Sequence, residues 1–373
     1  MISKERLREL AGWRVDGHKV LSLYLNLDPS EFPTPRDRSV ELQSLLDSAE
    51  RGLRQDSLER GQREALKRDL ERVRSYFGGE FDPKGTRGVA VFCAVGADLF
   101  EVVRLPNPIT SEVVIDDSPF IEPLTRSSGS DGYCVLLVNR QVARILIGGT
   151  EGVREVASMV DDVHRWHDQG GWSQARYQRG IVKETRDHLK HAADEVFKRF
   201  KLGRVQRLIV GTPDEMRGEV ENHLHPYLRE RIAGWIEVAI QSSPTEVAHE
   251  TRGVIERDER ERERQCLDRL KGELGRGGRG AAGVADTLSA LNERRVEVLL
   301  IQDGFRTEGW TTTAADFLST EAGRSPQGEE LHKRDDVVES AIESALGQSA
   351  DVLIVRHLDE LRPLGSIGAV LRF

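Results

Sequence analysis

The sequence lacks any apolar run approaching the ~20 residues that a bilayer crossing needs, and its opening residues, Met1-Ile2-Ser3-Lys4-Glu5-Arg6, turn charged at once. Without a continuous apolar leader there is no secretory signal to read, so the expectation is a cytoplasmic protein with no membrane partner. Cysteine is scarce. Cys93, Cys134 and Cys266 are an odd number at wide spacing, which suits neither a disulfide framework nor a zinc site, and they read as reduced structural residues. No phosphate-loop sequence is present, and no serine or cysteine sits in a nucleophile motif, so the chain itself does not read as a nucleotide hydrolase. No cofactor is called for. Positive charge is in deficit, with 54 Lys and Arg against 63 Asp and Glu and a net charge of −9, which excludes a protein that coats nucleic acid by bulk electrostatics. Any RNA contact must come from a local patch.

What is present is globular. Across 373 residues, 38% hydrophobic and 31% charged, there is more than one core's worth of apolar residues and a heavily solvated surface. Val20-Leu-Ser-Leu-Tyr-Leu-Asn-Leu27 alternates as a half-buried strand should, and Asp28-Pro29 stops it. Leu42, Leu45, Leu46, Ala49 and Leu53, then Leu66, Leu70, Val73 and Phe77, make two helical stripes that predict a hairpin packed on a sheet. Strands are predicted at 88–94, 99–104 and 112–116, and Arg126-Ser-Ser-Gly-Ser-Asp-Gly132 has the composition of a linker.

After it, strands are predicted at 133–138 and 142–147, a loop rich in Gly, Asp and His runs to Gly171, and a helix spans Ala175 to Phe200. Strand 205–210, helix 213–232 and strand 235–240 follow. The run Glu256-Arg-Asp-Glu-Arg-Glu-Arg-Glu-Arg264 reads as a solvated helix face, and Gly275-Arg-Gly-Gly-Arg-Gly280 as a flexible loop. Helix 284–292, strand 296–302, helix 335–346, strand 352–356 and a last strand near 369–372 complete the pattern. The predicted class is α/β (α+β), with three domains at 1–128, 129–246 and 247–373, each a mixed sheet packed with helices.

The run that carries chemistry is Gly170-Gly171-Trp172-Ser173-Gln174-Ala175-Arg176-Tyr177-Gln178-Arg179. Two glycines let the main chain press against a ligand with no Cβ in the way. The run then enters a helix, whose first N–H groups suit a phosphate or a developing oxyanion. Arg176, Arg179, Lys183, Arg186 and Lys190 fall at spacings of three, four, three and four, one helical face opposite the apolar stripe. Residues 176–207 hold ten Lys or Arg and four Asp or Glu, a local balance of +6 inside an acidic chain. That contrast is what a localised RNA-backbone contact requires. The plainer reading of Gly-Gly before a helix is a loop with Ser173 as N-cap, and of a basic face, simple solvation. Two histidine pairs, His164 with His167 near Asp161, Asp162 and Asp168, and His223 with His225, have ligand-like spacing but read as polar loops or helix ends; no metal is called.

The run resembles the Gly-Gly-Gln loop of archaeal and eukaryotic class-1 peptide release factors, in which Gly-Gly-Gln-Ser-Ala precedes Arg, an aromatic, one variable residue and Arg. Arg176, Tyr177 and Arg179 match that tail. Val113-Val-Ile-Asp-Asp-Ser-Pro-Phe-Ile-Glu-Pro-Leu124 is similar to the family's entry to its middle domain, and Gly132-Tyr-Cys-Val-Leu-Leu-Val138 to that domain's first strand. Gly283-Val-Ala-Asp-Thr-Leu-Ser-Ala-Leu291 with Val296-Glu-Val-Leu-Leu-Ile301 resembles the opening of its third domain, and Ile367-Gly-Ala-Val-Leu-Arg-Phe373 its closing strand. Here the loop is Gly-Gly-Trp-Ser-Gln, two residues longer, and its Ser-Gln step is closer to the release-factor-like peptidyl-tRNA hydrolases of eukaryotic ribosome quality control; the chain as a whole resembles this group and the Pelota-like ribosome-associated proteins. Neither Asn-Ile-Lys-Ser nor Tyr-x-Cys-x-x-x-Phe, the elements with which the family reads stop codons, occurs in the first segment.

The resemblance implies a ribosome partner, its rRNA and peptidyl-tRNA, and codon-independent ester hydrolysis in ribosome rescue. It makes Gly170, Gly171, Ser173 and Gln174 the catalytic tip, and Trp172, Arg176, Arg179, Lys183, Arg186 and Lys190 the RNA contacts. It also implies docking of a translational GTPase on the third domain. The alternative from another class is a non-catalytic binder, a stalled-ribosome recognition or hibernation factor that occupies the tRNA site, with Trp172 stacked on a base.

Overall fold

The computed structural model describes residues 4–13, 19–55, 58–84, 86–105, 108–129, 132–149, 152–160, 174–201, 205–275, 278–312 and 316–373. The chain divides into two compact units, Met1–Gly129 with Glu263–Phe373, and Ser130–Arg262. The first unit opens with α1 (Lys4–Ala11), β1 (Val20–Asn26), α2 (Pro35–Gln55), α3 (Arg60–Ser75), β2 (Gly88–Ala94), β3 (Leu99–Leu105), β4 (Glu112–Asp116) and α4 (Glu122–Gly129). Its four strands form an antiparallel sheet in the order β3-β2-β1-β4.

β1 is buried along its whole length, not half-buried as its alternation suggests. Leu21, Leu23 and Leu25 pack with Leu46, Leu53, Leu66, Leu70 and Val73 of the α2–α3 hairpin. The alternate positions Val20 and Tyr24 enter a second core with Phe92, Phe120 and residues from the far end of the chain, Leu299, Val338 and Ile342 among them. Tyr24 donates its hydroxyl proton to the Phe120 carbonyl, and the Phe120 N–H donates to Ser22 Oγ at 2.9 Å. α4 occupies the first part of the stretch read as a linker; its serines and glycine are poor helix formers, and its start is held by a distant partner. The Ile121 and Glu122 N–H groups donate to the Glu339 carboxylate at 2.6 and 3.2 Å.

The second unit holds one five-stranded mixed sheet, ordered β7-β6-β5-β8-β9. It is built from β5 (Tyr133–Val138), β6 (Val142–Gly149), β7 (Gly152–Val160), α5 (Gln174–Lys201), β8 (Arg207–Gly211), α6 (Arg217–His223), α7 (Pro226–Arg229) and β9 (Ile232–Ile236). β5, β8 and β9 run parallel, whereas β6 is antiparallel to both its neighbours. β7 lies in the stretch expected to be loop. The helix expected at 213–232 is broken in two, because Pro226 cannot donate in a helix interior and instead starts α7. α5, α6 and α7 cover one face, through Leu189, Val196, Val220 and Leu228 against Cys134, Leu136 and Val210. The other face packs Tyr133, Val135 and Ile209 against Val247, Val254 and Ile255 of α8 (Pro244–Gly275).

The remaining elements belong to the first unit. They are β10 (Gly280–Ala282), α9 (Val284–Asn292), β11 (Val296–Gln302), β12 (Gly309–Thr311), β13 (Leu318–Ser319), β14 (His332–Arg334), α10 (Val337–Gly347), β15 (Asp351–Val355) and β16 (Ile367–Leu371). One sheet is ordered β10-β16-β11-β15 and a small one β13-β12-β14. Arg334 of β14 forms ion pairs with Asp116 and, at 2.8 Å, Asp117, tying the small sheet to the end of β4. The charged run on α8 is mostly exposed, but not all of it is a solvated face. Glu263 is buried and accepts from the Arg356 and His357 N–H groups at 3.0 and 2.9 Å. Among the described residues no helix is long and apolar enough to cross a membrane.

Candidate RNA-facing helix

α5 is the element that organises the site. Its apolar positions, Leu189, Ala192, Ala193, Val196 and Phe200, repeat at helical spacing and are buried against the sheet of the second unit. The helix has 28 residues, so it is about 42 Å long, whereas β7, the longest strand of the sheet, has nine and spans about 30 Å. Leu189, the first described apolar residue of the helix in that core, lies about 22 Å along the helix from Gln174, and Thr185 and His188 before it are buried as well. α5 is thus longer than the longest strand of the sheet it covers.

Lys183, Arg186 and Lys190 are exposed, and none of the three is in an ion pair among the described residues. Glu184 and Asp187 flank their row one position on. Nearer the end of the helix two cations are compensated. Lys198 and Arg199 reach Glu195 at 3.2 and 2.8 Å. Burial pushes the Glu195 carboxyl up, but hydrogen bonds from Arg199 and Lys198 outweigh it and hold the group below the usual range. Arg207 pairs with Asp258 at 3.2 Å. Of the basic stretch 176–207, the described cations without a carboxylate partner on α5 are Lys183, Arg186 and Lys190 in its middle and Lys201 at its end, where the ammonium lies over the Phe197 ring at 4.8 Å.

α5 begins at Gln174, so that residue, Arg176 and Arg179 are on its first turns. Only the backbone is described for 174–182, and Gly170, Gly171, Trp172 and Ser173 lie outside the described residues, as do His164 and His167. His223 and His225 terminate helices. His223 Nδ1 lies 2.7 Å from the Glu219 carbonyl, and His225 Nδ1 accepts from the Tyr227 N–H at the start of α7 while its ring stacks on Phe197 at 4.5 Å. Among the described residues no group of three or more His, Cys, Asp or Glu could hold a metal. Cys93 and Cys134 are free thiols, and burial pushes both up to about 12, so neither is a nucleophile at neutral pH.

Residues 119–256, which take in this helix and the whole sheet beneath it, match the family described as bacterial archaeo-eukaryotic release factor family 10. The chain is thus similar to archaeo-eukaryotic release factors. It is 22% identical over 323 residues to a peptide chain release factor subunit 1 from Thermococcus onnurineus, covering 81% of this chain and 75% of that one. A second release factor subunit 1, from Methanopyrus kandleri, is 26% identical over 212 residues, 54% of this chain and 51% of its own length. Among solved structures, an archaeal translation termination factor aligns over 100% of this chain and 99% of its own at 20% identity and a TM-score of 0.28. Dom34 of S. cerevisiae aligns over 77% and 79% at 11% identity and a TM-score of 0.45.

Proposed function

We propose that this chain acts on the ribosome as a codon-independent peptidyl-tRNA hydrolase, cleaving the ester between a nascent peptide and the terminal ribose of its tRNA. One observation carries the reading. The Gly-Gly-Trp-Ser-Gln-Ala-Arg-Tyr-Gln-Arg run leads in sequence into a helix that is longer than the longest strand of its sheet and bears, in its middle, three exposed cations with no ion pair among the described residues. The relatives' designation as release factors supports the same chemistry. The ester is already reactive, so catalysis needs only a placed water and a stabilised oxyanion. Gly170 and Gly171 would let the tip enter a crowded RNA cavity. Gln174, with Ser173, would position the water or the leaving hydroxyl, and Arg176 and Arg179 would hold nearby phosphates. Water adds to the carbonyl, the ester C–O bond breaks, and the products are a peptide carboxylate and a free ribose hydroxyl. Without the stop-codon elements, rescue of stalled ribosomes suits the chain better than termination. A translational GTPase would dock on 247–373.

The test is peptide release from ribosomes loaded with peptidyl-tRNA. Gln174→Ala should slow release by about a hundredfold, the scale of one lost oxyanion-hole donor. Equal release by variant and parent would remove Gln174 from the mechanism. Trp172 favours a second reading, a plug that occupies the tRNA site by stacking; protein that binds ribosomes tightly yet releases nothing would establish it in place of hydrolysis.

A further inference from the structure

The last turns of α5 and the start of α7 bring four aromatic rings together. His225 stacks on Phe197, their centroids 4.5 Å apart and their planes 21° from parallel. Its Nδ1 accepts from the Tyr227 N–H at 3.2 Å, so the ring is fixed in place, yet the residue is exposed and no second ring is stacked on it among the described residues. The stack therefore ends on an open imidazole face. Tyr227, 40% exposed, stands edge-on to Phe197 and Phe200 at 6.1 and 6.3 Å. Two cations border the rings. The Lys201 ammonium lies over Phe197 at 4.8 Å, and the Arg231 guanidinium lies over Tyr227 at 3.6 Å, held there by donating to the Tyr227 carbonyl at 2.9 Å.

Both cations are open to a ligand. Lys201 has no ion pair among the described residues, and the carboxylate that reaches Arg231, that of Glu230, is 3.9 Å away and itself 78% exposed. An apolar protein face laid on the rings would bury the two charges with nothing to answer them. An acidic peptide would answer the charge but leave the stack unextended. Single-stranded RNA does both, since its unpaired bases stack on aromatic side chains while its phosphates meet cations beside them. A planar base continues the order Phe197, His225, base, and His225 Nε2, which carries the ring proton when Nδ1 accepts, is a further donor. Phe197 lies about 35 Å along α5 from Gln174, so this surface is separate from the helix start.

We propose that the C-terminal end of α5 is a second RNA contact, where an unpaired base stacks on the open face of His225 and the adjoining phosphates pair with Lys201 and Arg231. The choice of RNA as the nucleic acid rests on the ribosome reading; the stack itself does not require that the helix start hydrolyses an ester. The test is therefore run without ribosomes or peptidyl-tRNA, on the full chain with Lys183, Arg186 and Lys190 replaced by glutamine so that the basic row cannot hold the RNA. Histidine ring signals are followed, that of His225 being assigned from His225→Phe, during titration with hexaadenylate, with the same ribose-phosphate chain lacking bases, and with hexaglutamate. Hexaadenylate should shift the His225 ring saturably, and the baseless chain should bind about tenfold more weakly, the scale of one lost stack. His225→Ala should weaken hexaadenylate binding by a similar factor, with His225→Phe restoring it, and Lys201→Gln, which alters an exposed side chain, should lower the slope of log affinity against log salt by about 0.7. The proposal fails if hexaadenylate leaves the His225 ring unmoved, if the baseless chain binds equally, if hexaglutamate shifts the ring as hexaadenylate does and so marks a dock for an acidic protein, or if His225→Ala and Lys201→Gln both bind as their parent does. A chain that passes here yet releases no peptide from ribosomes would overturn the hydrolysis alone.

Discussion

Replacing Lys183, Arg186 and Lys190 together by glutamine removes three exposed cations that have no carboxylate partner among the described residues. Because these side chains are exposed and unpaired, the fold should change in stability by no more than about 0.5 kcal/mol. The effect on RNA association should be large and should have a defined salt signature. Each contact to a single-stranded phosphate contributes roughly 0.7 to the slope of log affinity against log salt, so three contribute about 2. Between about 50 mM and about 200 mM salt the parent should therefore lose about 20-fold more affinity than the triple variant. Cosedimentation with ribosomes across a salt series measures both slopes. Lys198→Gln is the internal comparison: Glu195 already compensates its charge, so its slope should change far less. If the triple variant and the parent have parallel slopes, the row makes no phosphate contact and the RNA-facing assignment of α5 is wrong.

Two further predictions concern the first unit. Burial, with Glu343, Glu122 and Asp336 close by, holds the Glu339 carboxyl well above its ordinary range, although the Ile121 N–H pulls the other way. Folding then takes up a proton, and stability from this group is full below the unfolded carboxyl pKa and declines as pH rises toward the folded one. Glu339→Gln, which keeps an acceptor for α4, should flatten that part of the curve of urea midpoint against pH; an unchanged slope would show that Glu339 does not titrate there. Gly309 of β12 has no room for a side chain, since a Cβ would lie 2.6 Å from Val337 Cβ. Gly309→Ala should cost about 1–3 kcal/mol in denaturant unfolding, and combined with Val337→Ala the losses should be less than additive. Strict additivity would mean that the two sites do not touch.

How much could be read without coordinates depended on whether a segment's partners are periodic. β1, β2, β11, α3, α5 and α9 alternate or stripe cleanly, because each packs on a continuous layer, and their bounds are close to those expected. β7 was missed for a physical reason. Its pairing with β6 shifts between Ile145 and Leu146, so Val156 and Ala157 are both half-buried and the alternation breaks. β12, β13 and β14 are two or three residues long, too short to show a period. α4 was read as a linker because the groups that hold it, the Glu339 oxygens, are 217 and 218 positions away in sequence. At the candidate site, the basic row was legible as spacing, but which of its members are compensated was not: Lys198, Arg199 and Arg207 look like Lys183 in sequence and differ only in their neighbours.

The split composition of the first unit bears on how the polypeptide is made. Leu7, Leu10, Phe120, Ile121 and Leu124 share a core with Leu299, Val338, Ile342 and Ile367. A ribosome emits these two groups with the whole second unit between them. The early hydrophobic surface must therefore wait, uncovered, until the last hundred or so residues emerge, an interval of roughly 10–50 s at about 5–20 residues per second. The second unit, one uninterrupted stretch, can mature during that delay. Truncation late in synthesis should thus leave a sound middle flanked by an adhesive, unfinished beginning, a natural target for chaperones.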